Sequence, residues 1–180
     1  SIKYHPRIAK VLLDKEKAKE IEQYYKKCAD DGATYEDIEA SKNAMSSMEM
    51  ILGEPLRLER LAVDIHDHYV SSCAGDPERI QKAMIVCSSR RIAYDLLLKF
   101  KDKYPEWFVE KKGAEDIDIS EEELKELKPM PFIAMVSSVG SNDEAKMYNY
   151  LGGARNDKRS EDLDAAFKQE KSNFRIVIVV

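Results

Sequence analysis

An α/β fold preceded by a helical region is the class this sequence predicts, and three observations predict it. Residues 14 to 74 repeat apolar side chains at helical spacing, short continuous apolar runs alternate with helical stretches after Pro77, and six of the seven residues from Phe174 to Val180 are apolar. Short apolar runs separated by amphipathic helices are how buried parallel strands joined by right-handed crossovers look in a sequence. The expected organisation is a three-helix region over residues 1–76 and an incomplete parallel βαβαβ sheet over residues 77–180.

The first helix follows the cap residue Asp14, places Ala18, Ile21, Tyr25 and Cys28 on one face, and stops at Gly32. The second opens with Thr34-Tyr35-Glu36-Asp37, a capping box with Asp as its acid, carries Ile38, Met45, Met48 and Leu52, and ends at Gly53. Pro55 fits the first turn of the third, whose stripe is Leu58, Leu61, Ala62, Ile65 and Tyr69 and which ends before Gly75-Asp76-Pro77. The methionines read as core filling, since their spacing is that of a buried helix face.

Beyond Pro77, Ala83 to Cys87 is a buried strand, and Ala93, Leu96, Leu97 and Phe100 form the buried face of a helix that runs to Tyr104-Pro105. A charged connector from Glu106 to Pro131 holds a short helix opened by the capping box Ser120-x-x-Glu123. Phe132 to Val136 is the second strand, followed by the loop Ser137-Ser138-Val139-Gly140-Ser141-Asn142 and a helix with Met147, Tyr148 and Leu151 that Gly152-Gly153 stops. Ser160 is expected to cap a further helix carrying Leu163, Ala166 and Phe167, ahead of the last strand. Parallel strands are buried on both faces, so a final strand with nothing after it would leave the sheet uncovered on that side, and the chain is expected to be cut from a longer one.

Composition narrows the function. The formal net charge is −5, and it is spread evenly: residues 1 to 75 carry 11 basic and 14 acidic side chains, and the remainder 18 and 20. A strong nonspecific grip on nucleic acid needs clustered Lys and Arg to displace counterions, so any such contact must be local. Cys28, Cys73 and Cys87 lie far apart and never as Cys-x-x-Cys, which points to a reducing compartment, the cytoplasm, without a disulfide framework or zinc site. The sequence has no stretch of about 20 apolar residues and opens on Ser-Ile-Lys-Tyr-His-Pro, so no membrane contact is expected.

Ligands of open α/β sheets bind beyond the carboxyl ends of the strands, which singles out Ser88-Ser89-Arg90-Arg91 and Ser137 to Asn142. Arg90 and Arg91 would stand in the first turn of a helix, where cations are disfavoured, and so need another reason to be there. Hydroxyls, helix-start amides and guanidinium groups together suit a phosphate of a nucleic-acid backbone; a capped helix with solvated arginines is the other reading of the same spacing. Asp143-Glu144-Ala145-Lys146 imitates the acidic box of helicases, but six loop residues separate it from its strand, too many to hold magnesium there. His66 and His68 fall about 200° apart around a helix and cannot share a metal. No Gly is followed by Lys, and no Gly-x-Gly-x-x-Gly, His-Glu-x-x-His or Gly-x-Ser-x-Gly occurs, so neither a nucleotide loop nor a catalytic motif is present.

Lys82-Ala83-Met84-Ile85-Val86-Cys87-Ser88-Ser89-Arg90-Arg91-Ile92-Ala93-Tyr94-Asp95-Leu96 resembles helicase motif IV as it occurs in the R subunits of type I restriction enzymes. Val136 to Asp143 resembles that family's next strand and loop, and Phe174 to Val180 the strand leading into motif V. Gly32-Ala33-Thr34 and Ile51-Leu52-Gly53-Glu54-Pro55 are similar to the helical region ahead of motif IV. Taken in order, these segments span nearly the whole chain.

The resemblance implies the first part of the second RecA-like domain of an ATP-driven DNA translocase of superfamily 2, whose parent cleaves DNA with a separate nuclease domain. It implies DNA-backbone contact by Ser88, Ser89, Ser137, Ser138 and Ser141 and by Arg90 and Arg91, with no catalytic or metal-ligating residue in this stretch. ATP and Mg would belong to the parent protein, with other R-subunit domains and the specificity and methyltransferase subunits as partners. Two other classes compete. A flavodoxin-like or receiver-like small-ligand module needs a complete sheet and a deep pocket at the strand ends, and a helical protein-interaction module needs an exposed Leu58, Leu61 and Ile65.

Overall fold

The computed structural model describes residues 48–49, 51–76 and 79–180. The first expected helix, the start of the second and Cys28 lie outside the described residues. The chain divides into two compact units, Ser1–Arg57 and Leu58–Val180.

In the first unit a helical stretch stops at Gly53, whose amide donates to the carbonyl of Glu49 at 2.8 Å. Met48, expected in a core, is exposed. Helix α1 (Pro55–Gly75) then starts on its proline, and the carboxylate of Glu54 accepts the amides of Leu56 and Arg57 at 2.9 and 2.6 Å. The proline has no amide to satisfy and the glutamate satisfies the next two, which is why the helix begins here.

The second unit begins at Leu58, earlier than the boundary expected at residue 76, because most of α1 packs within it. Leu58 and Ala62 are buried, Leu61 and Ile65 partly so. His66 stacks on Tyr104 with ring centroids 3.8 Å apart, and Tyr69 meets Trp107 and Phe132 edge-on. Tyr69 also donates its hydroxyl to the carbonyl of Gln81 at 2.7 Å, and burial pushes that phenol above its ordinary pKa.

Strands β1 (Ala83–Val86), β2 (Ile133–Met135) and β3 (Ile176–Val179) form a three-stranded parallel sheet in the order β1-β3-β2. Register puts Ala83, Ile176 and Ile133 in one row and Ile85, Ile178 and Met135 in another, so these six share a face. Helix α2 (Arg90–Lys103) packs against β2 and β3 through its buried stripe of Ile92, Ala93, Leu96, Leu97 and Phe100. On the opposite face Ala134 and Val177 pack with Leu163 and Ala166 of helix α5 (Asn156–Lys168), with Phe174 and Met130 closing the cluster.

The expectation that the last strand would leave its side of the sheet uncovered is corrected: β3 lies in the middle, hydrogen-bonded on both edges, and its first three residues are buried. The uncovered positions are instead on β1, where Met84 is 60% and Val86 72% exposed on the α5 side. Two crossovers that first pass over a strand position and then return to fill it put the last strand in the centre.

Between α2 and β2 the connector is tied down at several points. Pro105–Phe108 forms a 3-10 turn that buries Trp107, and single antiparallel bridges join Lys111 to Met130 and Gly113 to Ser172. Helix α3 (Glu121–Glu126) opens with the expected reciprocal box between Ser120 and Glu123. The ammonium of Lys171, 2.7 Å away, and the Ser120 amide and hydroxyl hold the Glu123 carboxyl down at about 2. Arg175, 2% exposed, pairs with Asp116 at 3.2 Å.

Helix α4 (Ala145–Tyr150) ends at Gly152 and Gly153, whose φ values of 96° and 52° are left-handed and favour glycine. A 3-10 turn, Gly153–Arg155, leads straight into α5, so Ser160 lies inside that helix and caps nothing. The sequence signal misled because a serine ahead of an amphipathic stretch looks like a cap wherever the preceding turn is already helical.

Candidate nucleic-acid interface

The β1–α2 loop is short. Cys87 continues the strand by donating its amide to the carbonyl of Val179 at 2.9 Å, and burial pushes its thiol up, away from the reactive thiolate. Ser88 is exposed; Ser89 is the N-cap of α2, its hydroxyl accepting the amide of Ile92 at 3.3 Å. With no acidic side chain in the first turn, Arg90 and Arg91 face the positive end of the helix dipole without a counter-charge in that turn.

Arg90 is only partly exposed, at 33%. Its guanidinium crosses to the loop after β2, where Nη1 donates to the carbonyl of Ser138 at 3.1 Å and Nη2 pairs with Asp143 Oδ1 at 3.0 Å. The Asp143 side chain is 3% exposed, and its second oxygen accepts the amide of Gly140 at 2.6 Å. A side chain at Gly140 would run into that guanidinium, so the glycine is what lets it lie against the backbone. Arg91 is 74% exposed and, among the described residues, has only a long contact, 3.9 Å, with Asp95.

The β2–α4 loop is braced from its other side as well. Tyr150 Oη accepts the amide of Met135 at 3.1 Å, Arg159 donates to the carbonyl of Met135 at 2.9 Å, and the Arg159 guanidinium lies 4.7 Å over the Tyr150 ring. Asn156, buried, donates to the carbonyls of Ser137 and Leu151 at 2.9 and 2.8 Å. Ser137 donates its hydroxyl to the carbonyl of Ser138 at 3.2 Å, while Ser138 and Ser141 are exposed.

The two loops that the sequence singles out are thus joined through Arg90. The hydroxyl-bearing residues left exposed among those singled out are Ser88, Ser138 and Ser141, with Arg91 the exposed guanidinium beside them in sequence; Ser89 and Ser137 use their hydroxyls locally. Sequence reasoning missed Asp143, Asn156 and Arg159. One signal for Asp143 was present: an arginine in a first turn without an acid nearby calls for a counter-charge from elsewhere.

No protein-family model matches the chain, and no curated protein or solved structure matches it either. Among the described residues no group of three or more His, Cys, Asp or Glu side chains is placed to hold a metal, and no helix is long and apolar enough to cross a membrane. A shallow hollow of about 300 Å³ is lined by Glu59, Arg60, Val63, Asp64 and Asp67, all on α1, rather than by the loops at the strand ends.

Proposed function

We propose that this chain is part of the motor subunit of a type I restriction–modification enzyme and supplies contacts to the DNA backbone during ATP-driven translocation ahead of cleavage. The observation that carries the reading is the pair of hydroxyl-rich loops beyond the carboxyl ends of β1 and β2, tied side by side by Arg90. It supports a reading that rests otherwise on the motif-IV-like run from Lys82 to Leu96 and the ordered segments after it.

Backbone contact suits a motor that must move over any sequence, because phosphates position a protein without telling it which bases are present. Exposed hydroxyls at Ser88, Ser138 and Ser141 and the guanidinium of Arg91 are the donors for that contact. With Arg90 neutralised by Asp143, about one phosphate charge is countered here, so binding is weak and only mildly salt-dependent. ATP, Mg, the nuclease centre and the specificity and methyltransferase subunits belong to the parent enzyme, and this chain alone is expected to hydrolyse neither ATP nor DNA.

The test is fluorescence anisotropy of the 180-residue chain with labelled single-stranded and duplex oligonucleotides of unrelated sequence, titrated at several salt concentrations. Binding should be weak and indifferent to sequence, and Arg91→Ala should lower the salt slope by about one. Tight binding to one sequence, or no binding at low salt, overturns the proposal.

A further inference from the structure

Burying a carboxylate is costly unless its charge is met, and at Asp143, 3% exposed, the cation is Arg90. Both oxygens are used, one by the guanidinium and the other by the Gly140 amide. Arg90 in turn reaches away from its own helix and spends its guanidinium on the second loop, at Asp143 and at the Ser138 carbonyl. The missing side chain at Gly140 completes the fit.

We infer that Arg90 and Asp143 are positioning residues whose ion pair holds the β1–α2 and β2–α4 loops as one unit, and that Arg90 does this instead of contacting phosphate. The first part stands on geometry alone; the second rests on the function proposed above. An Arg90 that swung out to a phosphate would leave the Asp143 carboxylate buried without its cation, with only the Gly140 amide beside it. Any movement of this surface along a strand therefore carries Ser88 and Ser138 together.

Two readouts separate the parts, the first without nucleic acid. Amide hydrogen exchange over residues 137–143 should rise about tenfold in Arg90→Gln and in Asp143→Asn, and no further in the double variant, as members of one pair behave. Gly140→Ala should raise exchange in the parent chain but be tolerated in an Arg90→Ala background, where the obstructing guanidinium is gone; this pair decides the matter if Asp143→Asn fails to fold. Unchanged exchange, or effects that add in the double variant, overturns the joint. The second readout is the salt slope of oligonucleotide binding, which Arg90→Gln should leave unaltered. A slope lower by about one would make Arg90 a phosphate ligand and overturn the second part. Absence of binding by the parent chain would overturn the DNA reading and with it the second part, while the exchange data still decide the joint.

Discussion

The two faces of the sheet are built from the same kinds of side chain but are finished differently. Under α2, Ile133, Met135, Ile176 and Ile178 are buried beneath Leu96, Leu97 and Phe100. Under α5 the cover reaches Ala134 and Val177 but leaves Met84 and Val86 open on β1. The first face is held by apolar packing, whereas the second also relies on a lysine. Lys82 donates to the carbonyls of Ala166 and Gln169, at 3.5 and 2.7 Å, and to that of Phe167, closing the carboxyl end of α5, and it lies over the Phe167 ring. Apolar burial tells where a helix lies; the polar tie tells where it ends.

The largest effect expected from breaking this comparison is on the α2 face. Phe100→Ala, at a side chain with no exposure, should cost about 4 kcal/mol in a urea melt. A loss below about 1 kcal/mol would mean that the α2 face is not the better packed one.

An intermediate effect is expected at the polar tie. Lys82→Met should cost about 1 kcal/mol at pH 7, the value of a charged hydrogen bond discounted for a group that is only partly buried. Burial pulls the ammonium down to about 8 from its ordinary value of 10.5. Between those values the unfolded chain holds the proton and the folded chain does not, so the stability of the parent relative to the variant should rise with pH across that window. Urea melts of both proteins from pH 7 to 10.5 check the sign; a gap that narrows contradicts it.

The smallest effect on stability is expected at the open edge. Met84→Thr combined with Val86→Thr should change stability by no more than about 0.5 kcal/mol, because both side chains already face solvent. It should, however, lower self-association in sedimentation, since β1 has no strand partner on its outer edge among the described residues. A large loss of stability would show that these positions are covered.

The strands after Pro77 were legible because a continuous apolar run as short as Phe132 to Val136 fits a buried strand and is too brief for a buried helix. So was the box at Ser120 and Glu123, whose partners stand three residues apart. Strand order was not legible: parallel strands with interchangeable Ile, Val and Met carry no mark of which neighbour they take. The pairing of Arg90 with Asp143 and the seating of Lys82 on α5 escaped for a related reason, since each joins positions remote in sequence and one of them uses only backbone carbonyls. In sequence Asp143 imitates a magnesium box; in the fold its charge is committed to an arginine.

The central place of β3 bears on the time at which the sheet can form. Among the described residues, strands β1 and β2 do not pair with each other; each pairs only with β3. As the chain leaves the ribosome, both outer strands and helices α1 to α5 are made before a single bond of the sheet can close. The helices can form locally in that interval, but their apolar stripes have no finished surface to cover until residues 176–179 arrive. The sheet then assembles by insertion of one strand between two, which makes its formation a late, concerted event.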